Sequence, residues 1–174
     1  VLIIGAAGGV GTFAVQLAKW LGAEVTGVCG RTKMELVRSL GADHVIDYTR
    51  EDFTRTGHRY DLILQLAGTQ SPSDLRRALT PDGTLLLSSG ESDGRLIGPV
   101  DRIIKAFLLA PFVRQRLAPF EAKRSGEDLR VLKELIEAGT VTPVIDRTYP
   151  LRDVPEAIRY LEQGHARGKI VITV

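Results

Sequence analysis

The opening run, Val1-Leu-Ile-Ile-Gly-Ala-Ala-Gly-Gly-Val-Gly11, narrows the possible folds more than any other feature of the chain. Its apolar start reads as a buried strand, a glycine cluster follows, and apolar residues at Val10, Ala14, Leu17, Ala18 and Leu21 then recur at helical spacing. A strand, a tight turn and a helix in that order can hold a phosphate, because the helix amino end offers unpaired N–H groups and a positive dipole end. The glycines divide the work: Gly8 lets a pyrophosphate approach the backbone with no Cβ in the way, and Gly11 lets the helix pack close to the strand. Against the usual dinucleotide fingerprint, Ala6 stands in the first glycine position. The plain alternative is a strand-to-helix turn without a ligand; its setting between strand and helix favours a dinucleotide.

Strands and helices alternate beyond it. Strands are expected at 1–4, 24–29, 44–47, 60–66 and 83–89, with helices over 10–21 and 33–40 and a further one after the fourth strand. This order predicts an α/β fold with a doubly wound parallel sheet, a Rossmann fold. Thr32 with Glu35 reads as a capping box, and Ser71 with Pro72 and Asp74 marks a second helix start. A sixth strand over 114–122 contains Pro119, which is tolerable only at a sheet edge. From residue 124 the pattern changes to a helix at 127–138, a strand at 141–146, a helix at 154–163 and a strand at 169–174. Val144, Ile145, Ile170, Val171 and Ile172 there need a partner surface, so the chain divides into a nucleotide domain, 1–123, and a tail, 124–174, that belongs to another domain.

With 174 residues, 44% hydrophobic and a net charge of +2, the chain can build one full core. Lys and Arg are interspersed with acids, so no nucleic-acid footprint is present. The apolar stretch 96–113 is interrupted by Pro99, Asp101, Arg102, Lys105 and Pro111, which argues against a membrane span. The single Cys29 excludes a disulfide framework within the chain, and its place at the end of a buried strand suits a small packed thiol better than a reactive one. His44, His58 and His165 are too scattered for a zinc set, so no metal site is expected. A cytoplasmic setting is expected, and the missing initiator Met points to an upstream extension.

The cofactor is read from the turn after the second strand. A site for NAD places an Asp or Glu there, about 20 residues past the glycines, to bind the adenosine ribose. The residues here are Cys29-Gly-Arg-Thr-Lys33. Arg31 and Lys33 can bind a 2′-phosphate and no acid repels one, so NADPH is the expected cofactor. The competing view makes them ordinary solvated residues, placed where the helix dipole disfavours cations.

At this point the chain resembles the medium-chain dehydrogenase/reductase superfamily, in its zinc-independent quinone oxidoreductase branch. The resemblance spans the whole chain and rests on Gly5-Ala-Ala-Gly-Gly-Val-Gly11, Ala-Val-Gln-Leu-Ala-Lys from Ala14, Leu40-Gly-Ala-Asp-His-Val-Ile-Asp-Tyr48, and Gly164-His-Ala-Arg-Gly-Lys-Ile-Val-Ile172. It implies that Ala7, Gly8, Gly9, Val10 and Gly11 cradle the pyrophosphate, that Gly30, Arg31 and Lys33 hold the 2′-phosphate, and that Tyr48 lies beside the adenosine end. Ala67 and Gly68, and Ser89 and Gly90, end the fourth and fifth strands and are expected near the nicotinamide ribose. It further implies a GroES-like substrate domain upstream, completed by the tail, and a homodimer paired along the 114–122 edge; apolar Phe107, Leu108 and Leu109 are a weaker candidate for that surface.

The implied reaction is hydride transfer from NADPH to a quinone, an activated alkene or a carbonyl, with no catalytic residue nameable. A zinc alcohol dehydrogenase with its ligands upstream and a non-catalytic NADPH-binding module are the alternatives. Short-chain dehydrogenases need Tyr-x-x-x-Lys, and none of Tyr48, Tyr60, Tyr149 or Tyr160 has Lys four residues on. A methyltransferase needs an acid where Arg31 stands. The 174 residues by themselves are expected to bind NADPH with little turnover.

Overall fold

Leu2–Ile4 (β1) and Thr26–Cys29 (β2) are buried at every position, as central strands covered on both faces must be. The computed structural model describes residues 1–88, 113–120, 123–164 and 166–174. β1 pairs with β2 on one side and with Tyr60–Gln65 (β4) on the other; His44–Asp47 (β3) extends the sheet beyond β2, and Leu79–Leu87 (β5) and Arg116–Pro119 (β6) extend it beyond β4. All pairings are parallel, in the order β3-β2-β1-β4-β5-β6. This is the doubly wound order, which reverses direction at β1 and β4 and opens a crevice at the strands' carboxyl ends.

Alternation along β1 feeds two cores. Leu2 and Ile4 join Val28, Ile63, Leu75, Leu85 and Leu87 on one face; Ile3 joins Ala6, Val15, Val25 and Val37 on the other. The second face is covered by Gly11–Trp20 (α1) and Met34–Ser39 (α2), the first by Pro72–Arg77 (α3). α1 lies so close to the end of β1 that a Cβ on Gly11 would stand 2.1 Å from the Gly5 carbonyl oxygen and 2.8 Å from the Ala6 Cα. At Gly8 an added Cβ would meet only the Gly5 oxygen, at 3.4 Å.

The Ser71 cap forms as expected: its Oγ accepts from the Asp74 N–H at 3.1 Å. The Thr32 capping box does not form. Thr32 lies inside a 3-10 turn, Arg31–Lys33, that precedes α2, and Glu35 pairs with Arg38 instead of reaching back. β5 starts at Leu79, earlier than the expected 83, because Leu79 pairs with Tyr60 before a register break that brings Thr84 opposite Leu62. β6 is an edge strand as Pro119 required. Phe120 donates its N–H to the Leu87 carbonyl, so the Pro119 nitrogen, one residue back, faces away from β5.

In the tail, Gly126–Glu137 (α4) is capped by Ser125, and Val154–Glu162 (α5) follows a 3-10 turn at Leu151–Asp153. The strand expected at 141–146 is instead Ile145–Pro150 (β7): Val141 is buried in the turn closing α4, with its N–H on the Leu135 carbonyl, and Pro143 intervenes. β7 pairs in parallel with Lys169–Thr173 (β8) as a separate two-stranded sheet, on which Ile145 is exposed and Ile170, Val171 and Ile172 are half-buried. Among the described residues no helix is long and apolar enough to cross a membrane. The 96–113 stretch lies outside the described residues except for Val113, and Phe107, Leu108 and Leu109 lie outside them altogether.

The two glycines respond differently to a methyl group. Gly11→Ala drives a carbon into backbone that cannot yield and is expected to cost about 3 kcal/mol or more, whereas Gly8→Ala stays within about 1 kcal/mol of the parent. Urea denaturation of the two variants measures both.

Candidate dinucleotide-binding site

The carboxyl ends of β1, β2, β3 and β4 lie side by side, and the expected site residues gather there. After β1, the Gly5 and Ala6 N–H groups both donate to the Val28 carbonyl at 3.1 Å, the Gly8 N–H folds back to the Gly5 carbonyl, and α1 begins as Thr12 donates to Gly8. Among the described residues no backbone acceptor meets the N–H groups of Gly9, Val10 and Gly11. The first turn of α1 holds no acidic residue and no side chain caps it. A helix start left this way has the charge and the donors for an anion, and the bare Gly8 gives it room. Ala7 is buried and takes part through its carbonyl, which accepts the Gly168 N–H at 3.1 Å.

At the end of β2, Gly30 lies under the Tyr48 ring: a Cβ there would be 3.7 Å from the Tyr48 hydroxyl. Tyr48 is joined to the same place by its N–H on the Cys29 carbonyl, at 3.3 Å, while most of its ring is exposed. Arg31 is exposed and has no carboxylate partner among the described residues. Lys33 donates its ammonium to the Ala166 carbonyl at 3.1 Å. Burial, and then the nearby charge of Arg167, hold Lys33 below the ordinary lysine range. Gly30, Arg31, Lys33 and Tyr48 thus form one cluster. Cys29 is packed below it; burial and the Asp47 carboxylate push the thiol up to about 11, so it is not a nucleophile at neutral pH.

At the end of β4, Leu66 donates to the Ile4 carbonyl, and the Ala67 Cβ comes within 2.9 Å of where a Cβ on Gly5 would stand. Ala67 therefore abuts the glycine loop. Gly68 turns the chain at φ +85°. Ser89 and Gly90 lie outside the described residues. Three buried polar atoms at this end of the sheet lack a partner among the described residues: the Thr12 hydroxyl, Asp47 Oδ2 and Gln65 Oε1. Asp47 Oδ1 is engaged, accepting the Thr49 hydroxyl at 2.7 Å and its N–H at 3.0 Å; the hydroxyl bond is the main cause holding the carboxyl below its usual range. Unsatisfied polar atoms cost free energy in a finished core, and three of them collect at this end of the sheet.

Sequence reasoning missed the segment 166–169. Gly168 and Lys169 lean on the loop, with the Gly168 carbonyl oxygen 3.2 Å and the Lys169 Nζ 3.4 Å from a Cβ placed on Gly9. The Lys169 ammonium also sits 5.7 Å from the Phe13 ring centroid. The available signal was a glycine and a lysine directly before an apolar strand, but contacts across the length of the chain have no periodicity to betray them. Among the described residues no three His, Cys, Asp or Glu side chains are grouped to hold a metal ion; His44 is at the surface against Glu24, and His165 is outside the described residues.

A doubly wound parallel sheet with an anion-ready loop at its switch point defines a Rossmann-type nucleotide-binding fold. The profile of the zinc-binding dehydrogenase family matches residues 40–172, and the chain belongs to that family. It is 42% identical over 189 residues to the mouse protein named NAD(P)H oxidoreductase RTN4IP1, mitochondrial, covering 99% of this chain and 47% of the mouse protein. It is 34% identical over 176 residues to Quinone-oxidoreductase QR1, chloroplastic, of Triphysaria versicolor, covering 99% of this chain and 51% of the relative. The solved quinone oxidoreductase of Coxiella burnetii superposes with a TM-score of 0.85 at 28% identity, over 99% of this chain and 52% of that one. The chain spans about half the length of the curated relatives it matches. The superfamily resemblance is borne out. The cytoplasmic expectation is corrected, since these relatives are named as mitochondrial and chloroplastic proteins.

The buried thiol has a direct consequence. Cys29 is expected to resist a water-soluble thiol reagent at pH 8 in the folded chain and to react promptly in denaturant; comparable rates in both states would contradict its packing.

Proposed function

We propose that this chain is the cofactor-holding half of an NADPH-dependent reductase that delivers a hydride to a quinone, an activated alkene or a carbonyl compound. The observation that carries the proposal is the pairing of two features 22 residues apart in the same crevice: the Gly9–Gly11 N–H groups, and a turn bearing Arg31 and Lys33 with no acid between them. When bound, the dinucleotide supplies the hydride, and the residues of this chain bind and orient it. Ala7, Gly8, Gly9, Val10 and Gly11 surround the pyrophosphate, with the Lys169 ammonium beside Gly9 adding positive charge. Arg31, through its planar fork, and Lys33, as a point charge, hold the 2′-phosphate. Gly30 and Tyr48 flank the adenosine end, while Ala67 and Gly68, with Ser89 and Gly90, serve the nicotinamide ribose.

The relatives named as quinone oxidoreductases support the acceptor class. The separate β7–β8 sheet supports assigning residues 124–174 to a substrate domain and 1–123 to the nucleotide domain. A zinc-dependent alcohol dehydrogenase is the second reading, favoured by the family's description; metal analysis of the intact protein decides between the two. Tight NADPH binding by the intact protein without turnover would instead favour a non-catalytic module.

Reversing both cations with Arg31→Glu and Lys33→Glu is expected to lower the NADPH-over-NADH affinity ratio by about a hundredfold, on the scale of two charge-assisted hydrogen bonds. Titration of both cofactors by fluorescence measures it, and a preference that survives refutes the assignment. We also infer a homodimer through the open edge of β6, where Pro119 limits backbone pairing to the residues before it. Light scattering on the intact protein tests this, and a monomer rules it out.

A further inference from the structure

We propose that Gln16 is a positioning residue for the dinucleotide: its side-chain amide fixes the tail to α1 at Thr142 and so sets the width of the crevice above Gly9. The inference rests on the dinucleotide reading above, and it gives a role to the glutamine of the Ala-Val-Gln-Leu-Ala-Lys run that begins at Ala14.

The Gln16 amide grips, with both of its ends, a main chain 126 positions away in sequence. Its Oε1 accepts the Thr142 N–H at 2.8 Å, and its Nε2 donates to the Thr142 carbonyl at 3.0 Å and to the Thr12 carbonyl, one turn back on α1, at 2.9 Å. A residue before proline is held extended, and an extended residue points its N–H and C=O to the same side. Pro143 therefore presents Thr142 as one strand presents itself to another, and the glutamine amide takes the place of the neighbouring strand. Of the side chains of this length, glutamate only accepts and lysine only donates, so glutamine meets both demands at neutral pH.

From Thr142 the coupling returns to the glycine loop in two short steps. Two residues on, the Val144 carbonyl accepts the Lys169 N–H at 2.7 Å, and Val144 stands so near Gly168 that a Cβ there would lie 2.5 Å from the Val144 oxygen and 2.8 Å from the Val144 Cβ. Gly168 in turn donates its N–H to the Ala7 carbonyl at 3.1 Å. These contacts close a ring that runs from the glycine loop along α1 to Gln16, across to Thr142, and back through Val144 and Gly168 to the loop. The space over Gly9 lies inside it: the Gly168 carbonyl oxygen and the Lys169 Nζ come within 3.2 and 3.4 Å of a Cβ placed on Gly9. A dinucleotide reaches the glycine loop past this lip. The bonds of Gly168 to Ala7 and of Ala166 to Lys33 hold the lip at the carboxyl ends of β1 and β2. Gln16 adds an attachment further along α1, and two separated attachments stop a rotation that one permits.

The test is calorimetric titration of the intact protein with NADP+, in the parent and in two variants that keep the length of the side chain. At pH 8 Gln16→Glu, whose carboxylate faces two carbonyl oxygens, is expected to weaken NADP+ about tenfold, and Gln16→Met, which merely loses the hydrogen bonds, about threefold. Facing those oxygens raises the new carboxyl's pKa, and the protonated form again offers one donor and one acceptor. At pH 5 Gln16→Glu therefore recovers most of its loss relative to the parent at the same pH, whereas Gln16→Met does not. Hydrogen exchange without ligand gives an independent readout: at pH 8 the Gly168 N–H exchanges faster in both variants, and the amides of β1 and β2 keep the parent's protection. Parent-like NADP+ affinity of Gln16→Glu at pH 8, or a loss that persists at pH 5, refutes the role of Gln16 and leaves the dinucleotide reading standing. Faster exchange in β1 and β2 as well overturns the inference by making the residue structural. A parent that binds neither NADP+ nor NAD+ removes the dinucleotide reading and the inference with it.

Discussion

The crossing of α1 over the end of β1 is the contact on which the rest of this chain depends. At Gly11 helix and strand meet backbone to backbone, with no space for even one carbon between them. That approach fixes where the amino end of α1 points and leaves the Gly9, Val10 and Gly11 N–H groups facing the crevice without a backbone acceptor among the described residues. It also keeps the loop short enough to serve as a junction: Gly5 abuts Ala67 from β4, Ala6 is tied to β2, and Ala7 receives Gly168 from the tail. Binding capacity and fold stability are thus written into neighbouring residues of one turn, but into different ones. Gly11 serves packing, whereas Gly8 has ordinary space around it.

Electrostatic detail separates scaffold from site. Exposed pairs such as Arg114 with Asp82 or Arg77 with Asp74 contribute little to stability, since water and salt screen them. The informative charges are the unpaired ones. Arg31, Lys33 and Arg167 meet no carboxylate in an ion pair among the described residues, and they flank the crevice where Thr12, Asp47 and Gln65 each keep a buried polar atom unsatisfied. A protein selected for stability alone would repair both defects. The unpaired cations offer an anion its counter-charge, whereas the Asp47 and Gln65 oxygens can only accept and call for a donor.

Most of the sheet was legible from residue patterns, because continuous apolar runs such as Leu2-Ile-Ile4 and Thr84-Leu-Leu-Leu87 have few other uses in a water-soluble fold. Pro119 even indicated its edge position, since a missing N–H is tolerated only on an outward-facing side. Residue pattern and structure part where local rules meet tertiary demands. Thr32 had the residues of a capping box, but the chain leaving β2 enters a 3-10 turn first, which moves the helix start to Met34. β7 starts later than the residue pattern suggests, because Val141, which suits a strand, is the apolar plug that closes α4. Within the site, the glycine loop and the basic turn were legible because each is contiguous. The 166–169 segment was not, since its role comes from hydrogen bonds to Lys33 and Ala7, which no local periodicity encodes.

The meeting of this segment with the glycine loop has a mechanical consequence. In the proposed binding mode a dinucleotide on the glycine loop touches, through one molecule, elements that the chain itself joins through scattered hydrogen bonds such as those of Gln16 with Thr142 and through the packing of Gly168 and Lys169 on Gly9. It acts as a removable cross-link, fastening the two-stranded β7–β8 sheet to the six-stranded one. By mass action such a ligand adds about 2.7 kcal/mol to folding stability at a hundred times its dissociation constant. If the cofactor binds as proposed, its supply governs how firmly the tail is held, so that the abundance of a small metabolite is translated into the rigidity of the crevice itself.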